Sequence, residues 1–150
     1  TPYVLGALSY AEAQGAEPVL LCCNPAQRNA VRTVIALDTG PEALTGSTRL
    51  KAGTATKLVL NMITTGAMAR SGYIYEGLMV RVRPVNAKLR RRAARITADI
   101  TGLDEDAAVA LLEQAGGEIG VAVLMARLGL SVEEARVRYS RSGYILRDIL

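Results

Sequence analysis

The sequence predicts an α/β segment followed by a small all-helical one, and three observations carry that reading. Two short apolar runs, "EPVLLCC" and "RTVIAL", are flanked by helix-start signals. A long apolar helix follows "GPEALTGSTR", and the last third of the chain breaks into short amphipathic stretches punctuated by Gly. With 150 residues, half of them hydrophobic and none of them Trp or Phe, the core is expected to be aliphatic. A net charge of +4 permits an anionic ligand without demanding a nucleic acid. No apolar run reaches the roughly 18 residues of a membrane span, and no charged-then-apolar leader opens the chain. The absence of histidine removes His-based acid–base chemistry and most zinc sites, so no metal is expected. Cys22 and Cys23 are neighbours on a strand and point to opposite faces, so they are expected to be buried free thiols in a reducing cytoplasm.

Each element has its own signal. Thr1 reads as an N-cap and Pro2 as the first helical residue, opening a helix through about Gln14. "EPVLLCC" is a strand, Asn24 and Pro25 repeat the helix-start signal in "NPAQRNAV", and "RTVIAL" is a second strand closed by "DTGP". Strand, helix and strand with short connections form a parallel α/β unit. Ser47 or Thr48 then caps a helix to about Ser71, whose apolar residues (Leu50, Leu58, Val59, Leu60, Met62 and Ile63) predict burial on several sides. Ala52, Gly53 and Ala55 leave its first turns thin enough for close approach. Composition changes between residues 73 and 86, dividing the chain into an α/β part, 1–80, and a helical part, 81–150. The second part opens with a basic linking helix, "NAKLRRRAARITADIT". "LDEDAAVALLEQAGG", "EIGVAVLMARLGL", "SVEEARVRYSRSG" with a Ser131–Glu134 capping box, and "YILRDIL" follow. From about Leu103 these are expected to fold as an independent bundle. A two-stranded parallel sheet does not stand alone, so the first part is expected to be the downstream piece of a larger α/β domain.

The stretch "GPEALTGSTRLKAGTATK" concentrates unusual chemistry at the mouth of a helix. Thr45, Ser47 and Thr48 supply hydroxyls, Arg49 and Lys51 supply positive charge, and Glu42 supplies a carboxylate. Helix N-termini favour anions, so this pattern suits a phosphate. Each residue also has a plain structural reading. Ser47 or Thr48 can be an ordinary N-cap, Arg49 and Lys51 can be solvated or paired with carboxylates, and Glu42 can brace the loop or a dimer contact.

"TGSTRLKAGTATKLVLNMITTG", with "GPE" before it, "CNP" upstream and "TPYVLGALSYA" at the start, resembles the second half of the bacterial N-acetylmuramic acid 6-phosphate etherases. These belong to the sugar-isomerase (SIS) superfamily, a flavodoxin-like parallel-sheet fold. The resemblance continues through "LMV" and "NAKL" into closing helices like that family's small ubiquitin-associated-like tail. It implies a lyase that converts N-acetylmuramic acid 6-phosphate to N-acetylglucosamine 6-phosphate and D-lactate by elimination and rehydration. No metal or redox cofactor is implied. The implied enzyme is a cytoplasmic homodimer of cell-wall sugar recycling, binding a phosphorylated amino sugar, with no nucleic-acid or membrane partner. Thr1 would be the last member of the superfamily's hydroxyl-rich phosphate turn. The 45–48 turn would be a second mouth, with Glu42 on a sugar hydroxyl and Arg49 and Lys51 neutralising charge. The family's two catalytic glutamates lie upstream of the matched part, so Glu12, Glu17 and Glu76 are not assigned those roles, and this chain alone is expected to be inactive.

Departures from the pattern leave room for other readings. Glu76 stands where the family commonly has Gly, and Gly77 and Arg81 replace the Asn and Asp of its "NLMVDV" stretch. The rival from another class is a non-catalytic phosphosugar-binding regulator on the same fold, similar to the glucokinase regulator. A third takes Arg81, Arg83, Lys88, Arg90, Arg91, Arg92 and Arg95 as a nucleic-acid surface. Without interleaved aromatics, a solvated helix face or dimer contact fits that run better.

Overall fold

In the computed structural model, which describes residues 1–27 and 31–150, the first helix forms where its start signal lies: α1 spans Pro2–Ala13. Strands β1 (Val19–Cys22) and β2 (Thr33–Ala36) pair in parallel, with Val19 opposite Thr33 and Cys22 opposite Ala36. Between them Pro25–Gln27 makes one 3-10 turn, and the Asn24 side chain accepts the Ala26 N–H at 3.0 Å. Part of the helix expected in "NPAQRNAV" lies outside the described residues.

Helix α2 runs Lys51–Arg70, so it begins later than Ser47 or Thr48. Its burial also differs from expectation. No residue of α2 is buried, and Leu58, Leu60, Met62 and Ile63 are all exposed. Two short strands supply too little apolar surface to cover a 20-residue helix.

A hairpin that the sequence pattern did not reveal follows α2: β3 (Ile74–Tyr75) pairs antiparallel with β4 (Leu78–Met79). Its two turn residues, Glu76 and Gly77, both have positive φ, 49° and 79°, as a two-residue hairpin turn matching strand twist requires. The helical part then reads almost as written. α3 (Ala87–Thr101) is capped by Asn86, whose side chain accepts the Leu89 N–H, and ends at left-handed Gly102. α4 (Glu105–Gln114) is capped by Asp104, α5 spans Ile119–Leu128, and α6 (Val132–Arg141) carries the Ser131–Glu134 capping box. A 3-10 turn, Leu146–Asp148, closes the chain.

This bundle contains one pattern twice. Gly102-Leu103-Asp104 opens α4 and Gly129-Leu130-Ser131 opens α6, each with a left-handed Gly and a capping side chain. Each helix ends in two consecutive left-handed residues: Gly116 and Gly117 after α4, Gly143 and Tyr144 after α6. Buried Leu112 in the first copy corresponds to buried Tyr139 in the second.

The described residues divide into two compact units, 1–64 and 65–150. In the first, only Leu20 is buried among the described residues. The second holds the main core, built on Ala93, Ala94, Ile96 and Ile100 of α3, Leu112 of α4, Ile119 and Val121–Leu124 of α5, and Leu146. Among the described residues no single helix is long and apolar enough to cross a membrane.

Candidate functional site

The 40–57 stretch folds as a loop that turns back on the helix it precedes. Gly40 (φ 62°) and Gly46 (φ 83°) take left-handed conformations open to glycine, and the Ser47 N–H donates to the Leu44 carbonyl at 3.0 Å. These bends return Glu42 to the start of α2. Its two carboxylate oxygens accept the Lys51 N–H at 2.9 Å and the Ala52 N–H at 3.0 Å. The next donors are also occupied: the Gly53 N–H goes to the Thr48 carbonyl at 2.9 Å and the Thr54 N–H to the Leu50 carbonyl at 3.0 Å. An anion does sit at this helix mouth, and it is the chain's own Glu42. The bonds from Ala52 and Lys51, with the Lys51 charge, hold the Glu42 carboxyl below its ordinary range. Neither Ser47 nor Thr48 makes a side-chain capping bond to α2 among the described residues.

The thin first turns of α2 are used by the chain itself. The Cys23 thiol, just beyond β1, lies 3.6 Å from the Ala52 carbonyl and 3.5 Å from the Thr56 hydroxyl. A Cβ on Gly53 would stand 3.3 Å from the Thr48 carbonyl. The mouth of α2 is thereby held beside the carboxyl ends of two parallel strands, the edge at which open α/β sheets bind ligands. Cys22 and Cys23 are both free thiols, but each is half-buried rather than buried as expected, because the short sheet has too little cover.

The other expected residues lie on the same loop and at the start of α2, except Thr1. Thr45, Thr48, Arg49 and Lys51 are exposed and Ser47 is partly so. Among the described residues, neither Arg49 nor Lys51 forms an ion pair with a carboxylate, although the Lys51 charge still acts on Glu42. Thr1 is exposed at the N-terminus of α1 and makes no side-chain capping bond. No hydrogen bond joins Thr1 to the 45–48 turn among the described residues. The structure therefore brings Glu42 and Lys51 together at one helix start and shows no bond linking the two helix mouths. What sequence reasoning missed is the double cap by Glu42. Local capping rules look one to three residues back, and this carboxylate comes from nine.

No protein-family profile matches the chain. Curated relatives do. Proteins of Pectobacterium atrosepticum, Serratia proteamaculans and Brucella anthropi are each 47% identical to it over 152 aligned positions that take in the whole chain. All three are named N-acetylmuramic acid 6-phosphate etherase. The chain is homologous to the C-terminal portion of those etherases. It spans about half the length of the relatives it matches, 50%, 51% and 50% respectively. The match takes in the Glu42 cap, the hydroxyl turn and the helical bundle alike.

Proposed function

We propose that the protein containing this chain is a lyase that opens the D-lactyl ether of N-acetylmuramic acid 6-phosphate, yielding N-acetylglucosamine 6-phosphate and D-lactate. The observation that carries the reading is the 47% identity to etherases over the whole chain. The reaction needs a base to remove the proton beside the carbonyl and an acid to protonate the departing ether oxygen before water adds back. In this reading those two carboxylates are glutamates upstream of Thr1, outside this chain. Residues 1–80 then form the second half of a SIS phosphosugar-binding domain, and residues 81–150 a basic linking helix and ubiquitin-associated-like bundle. The exposed apolar residues of α2 support this, because they need the remainder of such a domain or a second subunit to cover them.

In this reading Thr1, Thr45, Ser47 and Thr48 offer hydroxyls to the phosphorylated sugar, and Arg49 and Lys51 offset its charge. Glu42 orders the loop that presents them and remains within reach of a sugar hydroxyl. The enzyme works as a homodimer in the bacterial cytoplasm, without metal or redox cofactor and without a nucleic-acid or membrane partner. The test separates binding from folding. In the full-length protein, Thr1→Val, Ser47→Ala and Thr48→Ala are each titrated calorimetrically with N-acetylglucosamine 6-phosphate. Loss of one charge-assisted hydrogen bond is expected to weaken binding roughly ten- to a hundredfold. Parent-like affinity in all three would remove these residues from the site. Residues 1–150 alone are expected to release no D-lactate, and release would place the acid and base within this chain.

A further inference from the structure

Three hydrogen-bond donors of different kinds line one cavity of about 320 Å³ in the second unit, and among the described residues none of them has a charged acceptor. The first is the N-terminus of α5. This helix follows Gly116 and Gly117, its cap residue Glu118 makes no side-chain capping bond, and the first intrahelical bond belongs to the Ala122 N–H. The N–H groups of Ile119, Gly120 and Val121 have no partner among the described residues.

The second is a tyrosine hydroxyl. Tyr139 is only 4% exposed, its hydroxyl is buried, and that hydroxyl meets no hydrogen-bond partner among the described residues. It packs so closely on Gly120, in the first turn of α5, that a Cβ there would collide with the ring and the oxygen. Burial pushes the phenol pKa upward, so at neutral pH the group is a donor. The third is Arg81. Its guanidinium carbon stands 4.2 Å from the Tyr73 ring centre and 5.1 Å from that of Tyr144. Tyr144 in turn meets Tyr139 edge to face at 5.2 Å. Among the described residues no carboxylate pairs with Arg81, whose one hydrogen bond is a 3.4 Å contact to the Ser71 carbonyl. The acidic residue nearby, Glu118, already pairs with Arg136 at 3.2 Å.

A buried, unpartnered hydroxyl is a standing penalty, and a guanidinium held between aromatic faces is preorganised for a planar acceptor. Water would satisfy the hydroxyl but brings no charge to meet Arg81 and the positive end of α5. We propose that this cavity binds the oxyanion of a small molecule, a phosphate monoester or a carboxylate, with Arg81, the first turn of α5 and the Tyr139 hydroxyl as its donors. The site does not rest on the etherase reading, since it is argued from burial, distances and missing partners within residues 71–144.

The experiment titrates the 150-residue chain with inorganic phosphate and, separately, with acetate, following backbone amide shifts by NMR. Saturable shifts centred on Gly117, Ile119, Gly120 and Val121 are expected with at least one probe, and the tighter probe identifies the oxyanion class. Tyr139→Phe is expected to keep the parent spectrum and weaken binding roughly tenfold, and Arg81→Gln at least as much. Arg141→Gln removes an exposed charge elsewhere and is expected to leave the affinity unchanged. Should Tyr139→Phe fail to fold, Arg81→Lys carries the test by keeping the charge and losing the planar fork, again with weaker binding. Absence of saturable shifts with both probes overturns the proposal. So does a Tyr139→Phe protein that binds like the parent while melting higher, for then the hydroxyl is only trapped.

Discussion

Glu42 and Gly72 show how much one residue can decide. The Glu42 carboxylate ties a loop to α2 through two backbone N–H groups, and its pKa lies below the ordinary 4.5 because those bonds favour the charged form. A carboxyl with a depressed folded pKa adds stability that is complete above the unfolded value and fades as pH falls through the folded one. In the full-length protein, Glu42→Gln is therefore expected to lower the melting temperature at pH 7 and to flatten the loss of stability on acidification below about pH 4.5. Equal acid sensitivity in parent and variant would count against the cap. The capping-box carboxylate of Glu134 shares the direction of shift and leaves some residual dependence. Gly72 is buried with φ 76°, and a Cβ there would run into the Tyr144 carbonyl. Gly72→Ala is expected to cost about 3 kcal/mol, combining left-handed strain with overpacking, as read from denaturant midpoints. A change under about 0.5 kcal/mol would mean that the two segments do not approach this closely.

Elements were legible where a short-range signal set them. Ser131 caps α6 with Glu134 as the capping box announces, Asn86 and Asp104 cap α3 and α4, and Gly102 and Gly129 end helices in left-handed conformation. The parallel pairing of β1 and β2 followed from two apolar runs with a short crossover. The β3–β4 hairpin was not legible, because two residues per strand are too few to show alternation and the turn lacks the usual Asn-Gly pair. The start of α2 was misjudged for a related reason: Ser47 and Thr48 look like caps locally, while the carboxylate that does the capping arrives through a loop. Of the candidate site, the concentration of hydroxyls and cations was readable, but the filling of the helix mouth depended on tertiary return of Glu42. The hairpin supplies a direct test. Glu76 holds φ 49°, a conformation asparagine tolerates better, so Glu76→Asn is expected to stabilise the protein by about 0.5–1 kcal/mol at unchanged denaturant slope. Destabilisation would show that Glu76 makes a contact worth more than the strain.

At the scale of the whole molecule, the hydrophobic material is spread evenly along the chain but buried unevenly. Residues 1–64 bury only Leu20 among those described, while Leu44, Leu50, Leu58 and Leu60 remain exposed. The second unit buries a continuous set from Val80 to Leu146, with Tyr75 and Leu78 of the hairpin packed against it. The bundle expected to begin near Leu103 therefore begins earlier, because α3 contributes Ala93, Ala94, Ile96 and Ile100 and the hairpin closes one side. Cooperative unfolding requires a shared core, so the two units should behave differently when separated. Residues 65–150 alone are expected to melt in one cooperative transition, with a stability of about 5 kcal/mol. Residues 100–150 lack most of α3 and the hairpin, and are expected to show helical circular dichroism without a cooperative melt. Residues 1–64 are expected to melt without a sigmoidal transition, since burial of one leucine, worth about 2 kcal/mol, cannot offset the ordering of the strands and α1. A cooperative melt of 1–64 by itself, or its absence in 65–150, would place the stabilising core somewhere other than among α3, α4 and α5.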